Sequence, residues 1–248
     1  MTYRGLSSRT TLVRWGLFAI AVGIVLGATL PPAVAGLVHL AGSSPDRLPW
    51  VTTRIVAFLS YFAIAGSVIY GLLLSTKILD AIAHRPVTFA LHQDLAAIGL
   101  GLAGVHVVLL GLDATQPFGL AQMLVPFAAS YRPAWVGLGQ LSLYLVAIVT
   151  ASFYMRRRIG QRSWRVLHYV TFLAFASTTA HGILTGTDTG EPWAWWTYVV
   201  ATTLVVFLTA YRITDAVASR RERRGGPRPA TQGPLELRSP TRGDVAAG

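Results

Sequence analysis

The chain contains no cysteine. That excludes a disulfide framework, a thiolate metal site, an iron–sulfur cluster and a cysteine nucleophile. Charge is scarce too: only 12% of the 248 residues are charged, and only 10 are acidic. With 53% hydrophobic residues, this composition lies outside the range of soluble globular domains. The one G-x-G-x-x-G match, Gly99 to Gly104, falls inside an apolar helical block with no strand before it, and no P-loop or acid–base constellation occurs, so these residues are expected to carry no flavin or nucleotide site.

What the chain has instead is long apolar blocks separated by short polar ones. Six of them, near 12–30, 51–75, 87–112, 134–154, 166–184 and 193–210, are long enough to cross about 30 Å of hydrocarbon as helices. None shows the strict alternation of a barrel strand. The expected fold is therefore an all-α integral membrane protein, a six-transmembrane-helix bundle over 12–213. It follows an N-terminal segment (1–11) and precedes a disordered basic tail (214–248) rich in Arg, Pro and Gly. The first block is expected to be a retained helix, although Ala33–Gly36 could serve as a signal-peptidase site. The stretch from Pro117 to Ala129 is too short to span and is interrupted by Pro126, so it reads as an outer-surface or re-entrant piece.

The net charge of +11 could suggest nucleic acid, but the basic residues gather at alternate block ends. Arg4, Arg9 and Arg14, then Lys77 and Arg85, then Arg156 to Arg165, then Arg220 to Arg224 all fall on one side. By the positive-inside rule that side is cytoplasmic, with both termini on it, in a cell (plasma or inner) membrane. Trp50, Trp135, Trp193, Trp195 and Trp196 gather at the opposite boundary as an aromatic belt. The expected environment is lipid, with no nucleic acid.

Of six histidines, four lie inside two of these blocks: His92 and His106 in LHQDLAAIGLGLAGVH, His168 and His181 in LHYVTFLAFASTTAH. An ionisable residue in the bilayer core is a functional candidate by default. His92 and His106 are 14 residues apart, about 40° short of four full turns, so both rings face one side about 21 Å apart. His168 and His181 are 13 apart and miss four turns by about 140°, which a bulge, a kink near Gly182 or different rotamers would have to absorb. The third and fifth blocks run in the same direction, so depth pairs His92 with His168 and His106 with His181. Zinc would need three or four ligands at one depth, and no carboxylate or thiol joins either pair. Opposed imidazoles at two depths suit the iron of two stacked b-type haems. Gly99, Gly101 and Gly104, with Ala174, Ala176 and Ser177, leave room between the helices.

These residues resemble the ferric reductase-like transmembrane domain family, shared by ferric reductases, NADPH oxidases and bacterial relatives. The resemblance covers roughly Trp50 to Arg212. It rests on LHQD…GVH, on WRVLHYVTFLAFASTTAHG, and on the flanking LVPFAASYRP and HGILTGTD. The haem subunit of methionine-sulfoxide reductase is a poorer match, lacking a histidine at the position of His92. The resemblance implies two haems b, an inner one on His92 and His168 and an outer one on His106 and His181. It also implies electron transfer from a cytoplasmic-side donor to an outer-face acceptor such as ferric iron, oxygen or a partner protein. These 248 residues are expected to hold no counterpart of the family's flavin–nucleotide domain, so a separate flavoprotein reductase or a quinol is the expected donor.

Arg54 is a candidate partner for outer haem propionates, against a snorkelling interfacial arginine. Arg165 is a candidate at the inner ones, against a purely topological charge. Asp94 is read as a boundary ion pair with Arg85 or Arg162. Two other readings stay open: a quinol-oxidising cytochrome b-like subunit, and a haem-free transporter or accessory subunit using the histidines for protons or metal ions.

Overall fold

The computed structural model describes residues 48–76, 80, 84–113 and 118–225, with side chains between 50 and 219. The first apolar block and the chain beyond 225 lie outside the described residues. Everything regular is helical: α1 (Leu48–Thr76), α2 (Arg85–Leu112), the short α3 (Leu120–Leu124), α4 (Pro133–Ile159), α5 (Gln161–His168), α6 (Val170–Thr185) and α7 (Pro192–Gly225). Among the described residues four helices are long and apolar enough to cross a membrane, namely Trp50–Thr76, Arg85–Leu112, Pro133–Ile159 and Pro192–Ser219. Val108, Val166, Val206 and Phe207 are each at least 62% exposed, a surface suited to lipid rather than water.

Local chemistry explains the ends of these helices. α2 and α4 both start with proline in the first turn, where a missing N–H costs nothing. Gly160, at φ +81°, stops α4 and turns the chain into α5. Arg132 and Phe127 are the two non-glycine residues with positive φ among those described. Phe127 sits in the turn after α3, and its ring fills the space where a side chain at Gly137 would lie. The segment expected to be an outer-surface or re-entrant piece is thus a short helix and turn held on α4. Gln140, buried, fastens it by donating to the Gln122 carbonyl (2.6 Å) and accepting from the Phe127 N–H (3.2 Å).

Two expectations are corrected. The fifth block is not one helix: it breaks at Tyr169 into α5 and α6, and α6 alone has 16 residues, about 24 Å. Nor does disorder begin at 214, because α7 continues to Gly225. The residues from Tyr211 to Arg224 contain no Gly or Pro and include five Arg, two Ala and one Glu, all good helix formers. The first glycine pair and proline come only at Gly225, Gly226 and Pro227.

α1 packs along α2, α4 along α6, and α7 against α1. The α1–α2 contact is close because Gly99 has no side chain: a Cβ there would sit 2.7 Å from Ile64 Cγ1. The Ser60 hydroxyl donates to the Gly99 carbonyl at 2.8 Å. A buried cluster of Tyr61, Leu72, Phe175, Tyr198, Val205 and Leu208 ties α1, α6 and α7 together. Within it Tyr61 and Tyr198 meet edge to face at 4.9 Å. Gly99→Val should destabilise the chain by roughly 1–3 kcal/mol through overpacking, while Gly101→Ala, where nothing lies within 4 Å, should be neutral. Thermal unfolding in detergent checks both.

Candidate functional site

Each of the four histidines is half-buried, and three of them reach across a helix interface to a main-chain oxygen. His92 Nδ1–H on α2 donates to the Ser67 carbonyl on α1 at 2.8 Å. His106 Nδ1–H donates to the Thr53 carbonyl at 3.1 Å, and His181 Nδ1–H on α6 to the Trp135 carbonyl on α4 at 2.9 Å. A carbonyl only accepts, so Nδ1 carries the proton and Nε2 is left with its lone pair. This is how ligating imidazoles are held: the second nitrogen is fixed to a carbonyl and the first is free for a metal. Ser67 adds to the clamp, its hydroxyl donating to the His92 carbonyl at 3.0 Å.

The pairing expected from depth is seen in space. His92 and His168 face each other with ring centres 6.1 Å apart and planes at 77°. The break at Tyr169 makes this possible. The Tyr169 N–H bonds the Val166 carbonyl and the Phe172 N–H bonds the Tyr169 carbonyl, both three residues back and both at 3.1 Å. Such bonds turn the chain by about 120° per residue instead of 100°, in the sense that a 13-residue interval needs to approach four full turns. The break therefore lies beside His168 and not near Gly182. His168 has no carbonyl partner among the described residues; the Trp164 ring stacks on it instead, at 5.1 Å and 28°.

His106 and His181 line one cavity of about 490 Å³ towards the tryptophan-rich end and lie close enough to interact electrostatically. That volume lies within the range of about 300–1,000 Å³ typical of small-molecule and cofactor sites. Gly139 of α4 permits the His181 position, since a Cβ there would come within 2.5 Å of Nδ1. Gly71 does the same for His92, where a Cβ would be 3.1 Å from Cε1. Two buried polar atoms next to the histidines have no hydrogen-bond partner: Thr53 Oγ1 in the cavity wall and Trp164 Nε1 beside His168. Buried polar atoms are normally hydrogen-bonded, so these two are places where a polar group of a ligand or a water would fit.

Arg54 also lines this cavity, but its guanidinium is ion-paired with Asp188 of the α6–α7 loop and stacked 4.1 Å over Trp50. Arg165 is exposed on α5, with no ion pair among the described residues. The boundary pair expected of Asp94 is not formed by Arg85, which bonds Asp80 at 3.3 Å. Thr53, Ser67 and Gly139 are not among the residues singled out from the sequence, and Trp164 stands out there only as a boundary aromatic and the first residue of WRVLHYVTFLAFASTTAHG. Gly139, a glycine inside an apolar block, carried a visible signal; the carbonyl partners carried none, because a main-chain acceptor has no residue type.

The chain matches no family model, no curated protein and no solved structure. Among the described residues no three histidines or carboxylates converge as a metal site.

Two substitutions test this geometry without any ligand. Ser67→Ala removes a buried hydrogen bond and should lower stability by about 1 kcal/mol. Thr53→Val removes an unsatisfied hydroxyl and should leave the thermal midpoint unchanged or raised by up to about 1 kcal/mol in free energy.

Proposed function

We propose that the chain is a di-haem b transmembrane electron-transfer subunit. The observation that carries this reading is the His92–His168 spacing. Two metal–imidazole bonds of about 2 Å, with each ring centre about 1 Å beyond its nitrogen, place the two centres about 6 Å apart, against the 6.1 Å found. Nε2 lone pairs held outward by Nδ1–carbonyl bonds, at two levels of one bundle, support the same reading. So do the glycines facing His92 and His181 and the unpartnered Thr53 hydroxyl in the cavity wall, which would offer a hydrogen bond to a polar group bound there.

His92 and His168 would hold the inner group, and His106 and His181 the outer. The haems would supply one-electron redox chemistry; the protein supplies spacing, ligand orientation and exclusion of water. Arg54 stands at the rim of the outer cavity, where its pairing with Asp188 fixes its position. With the basic end cytoplasmic by the positive-inside rule, electrons would pass from a flavoprotein or quinol on that side to an outer acceptor. This function is the one implied by the resemblance to the ferric reductase-like transmembrane domain, and chain and family share both histidine intervals.

The test is haem stoichiometry by pyridine haemochrome together with single histidine variants. Wild type should bind two haems per chain. His92→Ala and His168→Ala should each lose the same one, and His106→Ala and His181→Ala the other. Gly139→Ala, which crowds only His181, should shift the outer signal and spare the inner. A colourless preparation would leave the transporter reading in its place.

A further inference from the structure

Electron transfer of this kind needs a point of input, and the basic end of the molecule contains an unbroken line of aromatic rings that the histidine pairs do not explain. Phe89 on α2, 42% exposed, contacts Phe153 on α4 with ring centres 5.9 Å apart. Phe153 meets Trp164 at 6.3 Å, and Trp164 stacks on His168 at 5.1 Å. The Arg156 guanidinium lies 3.9 Å over the Phe153 ring.

The line ends beneath a surface of one charge. Arg157, Arg158, Arg162 and Arg165 are all exposed and have no ion pair among the described residues. No acidic residue occurs between Pro133 and Thr187. α5 presents two of these arginines on its open face, with Trp164 and His168, one turn apart, half-buried on the other. Gly160 at its start and the break at Tyr169 at its end set it off as a separate element.

We infer that α5 and the end of α4 form the docking surface for an acidic, reduced one-electron donor protein, and that Trp164 relays the electron to His168. This rests on the haem reading above and names its partner. Charge complementarity selects the acidic face and accelerates encounter. Anionic lipid headgroups would also neutralise the arginines, but they carry no electron, and a lipid role gives no reason for an indole stacked on an imidazole. In the transfer no bond forms or breaks. The donor's reduced flavin would lose one electron, and a haem held by His92 and His168 would gain it.

The experiment uses the full chain in phosphatidylcholine nanodiscs, where both faces are accessible, with a small acidic flavodoxin as probe. Binding of the oxidised flavodoxin, read by thermophoresis, should weaken as salt rises. Arg162→Gln/Arg165→Gln should reduce the association rate roughly tenfold and flatten the salt dependence. In stopped flow with reduced flavodoxin at saturation, and with each rate referred to the haem content and midpoint potential measured on the same variant, Trp164→Leu should slow transfer roughly tenfold with flavodoxin binding unchanged, and Trp164→Phe should restore it. Flavodoxin binding indifferent to the arginines overturns the inference, and so does an arginine effect seen only on phosphatidylglycerol vesicles. Transfer indifferent to Trp164→Leu overturns the relay. Wild type with its full Soret band and none of these dependences would sink the inference alone; wild type without a Soret band would sink the haem reading and take this inference with it.

Discussion

The architecture depends on one interaction used three times: an imidazole Nδ1–H donated across a helix interface to a main-chain carbonyl. In lipid a polar group without a partner costs several kcal/mol, so a buried histidine must find one. By finding it at Ser67, Thr53 and Trp135, His92, His106 and His181 tie α2 to α1 and α6 to α4. The same bonds fix the tautomer and leave each Nε2 with its lone pair. Helix association and ligand orientation are thereby one property, and a change that loosens the packing also misdirects the rings.

Close approach is what makes the bonds possible. Gly71 and Gly139 lie where the His92 and His181 rings press on the neighbouring helix, and Gly99 brings α1 and α2 together between the two histidine levels. The remaining histidine is handled differently. His168 ends α5, just before the chain tightens at Tyr169, and an indole takes the place of a carbonyl beside it. That difference gives the two levels distinct surroundings. His106 and His181 open on a cavity lined by Arg54 and Asp188; His92 and His168 adjoin aromatic rings and exposed arginines.

Much of this was legible in the residues, and the reasons are specific. Apolar length and terminal arginines mark α1, α2, α4 and α7 directly, since a bilayer imposes its thickness on any helix that crosses it. The spatial meeting of His92 and His168 followed from depth alone. The break at Tyr169 was hidden because neither Gly nor Pro marks it; only the 13-residue interval hinted that something must turn. The helical continuation to Gly225 was missed because basic composition was weighed above the absence of helix breakers before Gly225. Arg54 was read as facing a ligand or the interface. Its actual partner, Asp188, lies 134 residues away, beyond what spacing within one helix reveals.

The central claim is the proposal that each histidine pair would hold one haem iron, His92 and His168 doing so with ring planes that stand at 77°. Low-temperature electron paramagnetic resonance of the oxidised chain tests it most directly, because ligand identity sets the spin state and the angle between ligand planes sets the anisotropy. The account predicts low-spin ferric signals alone, the inner one of the strongly anisotropic type given by near-perpendicular imidazoles. A high-spin signal from an open coordination position, or no haem signal from a fully folded chain, would contradict it.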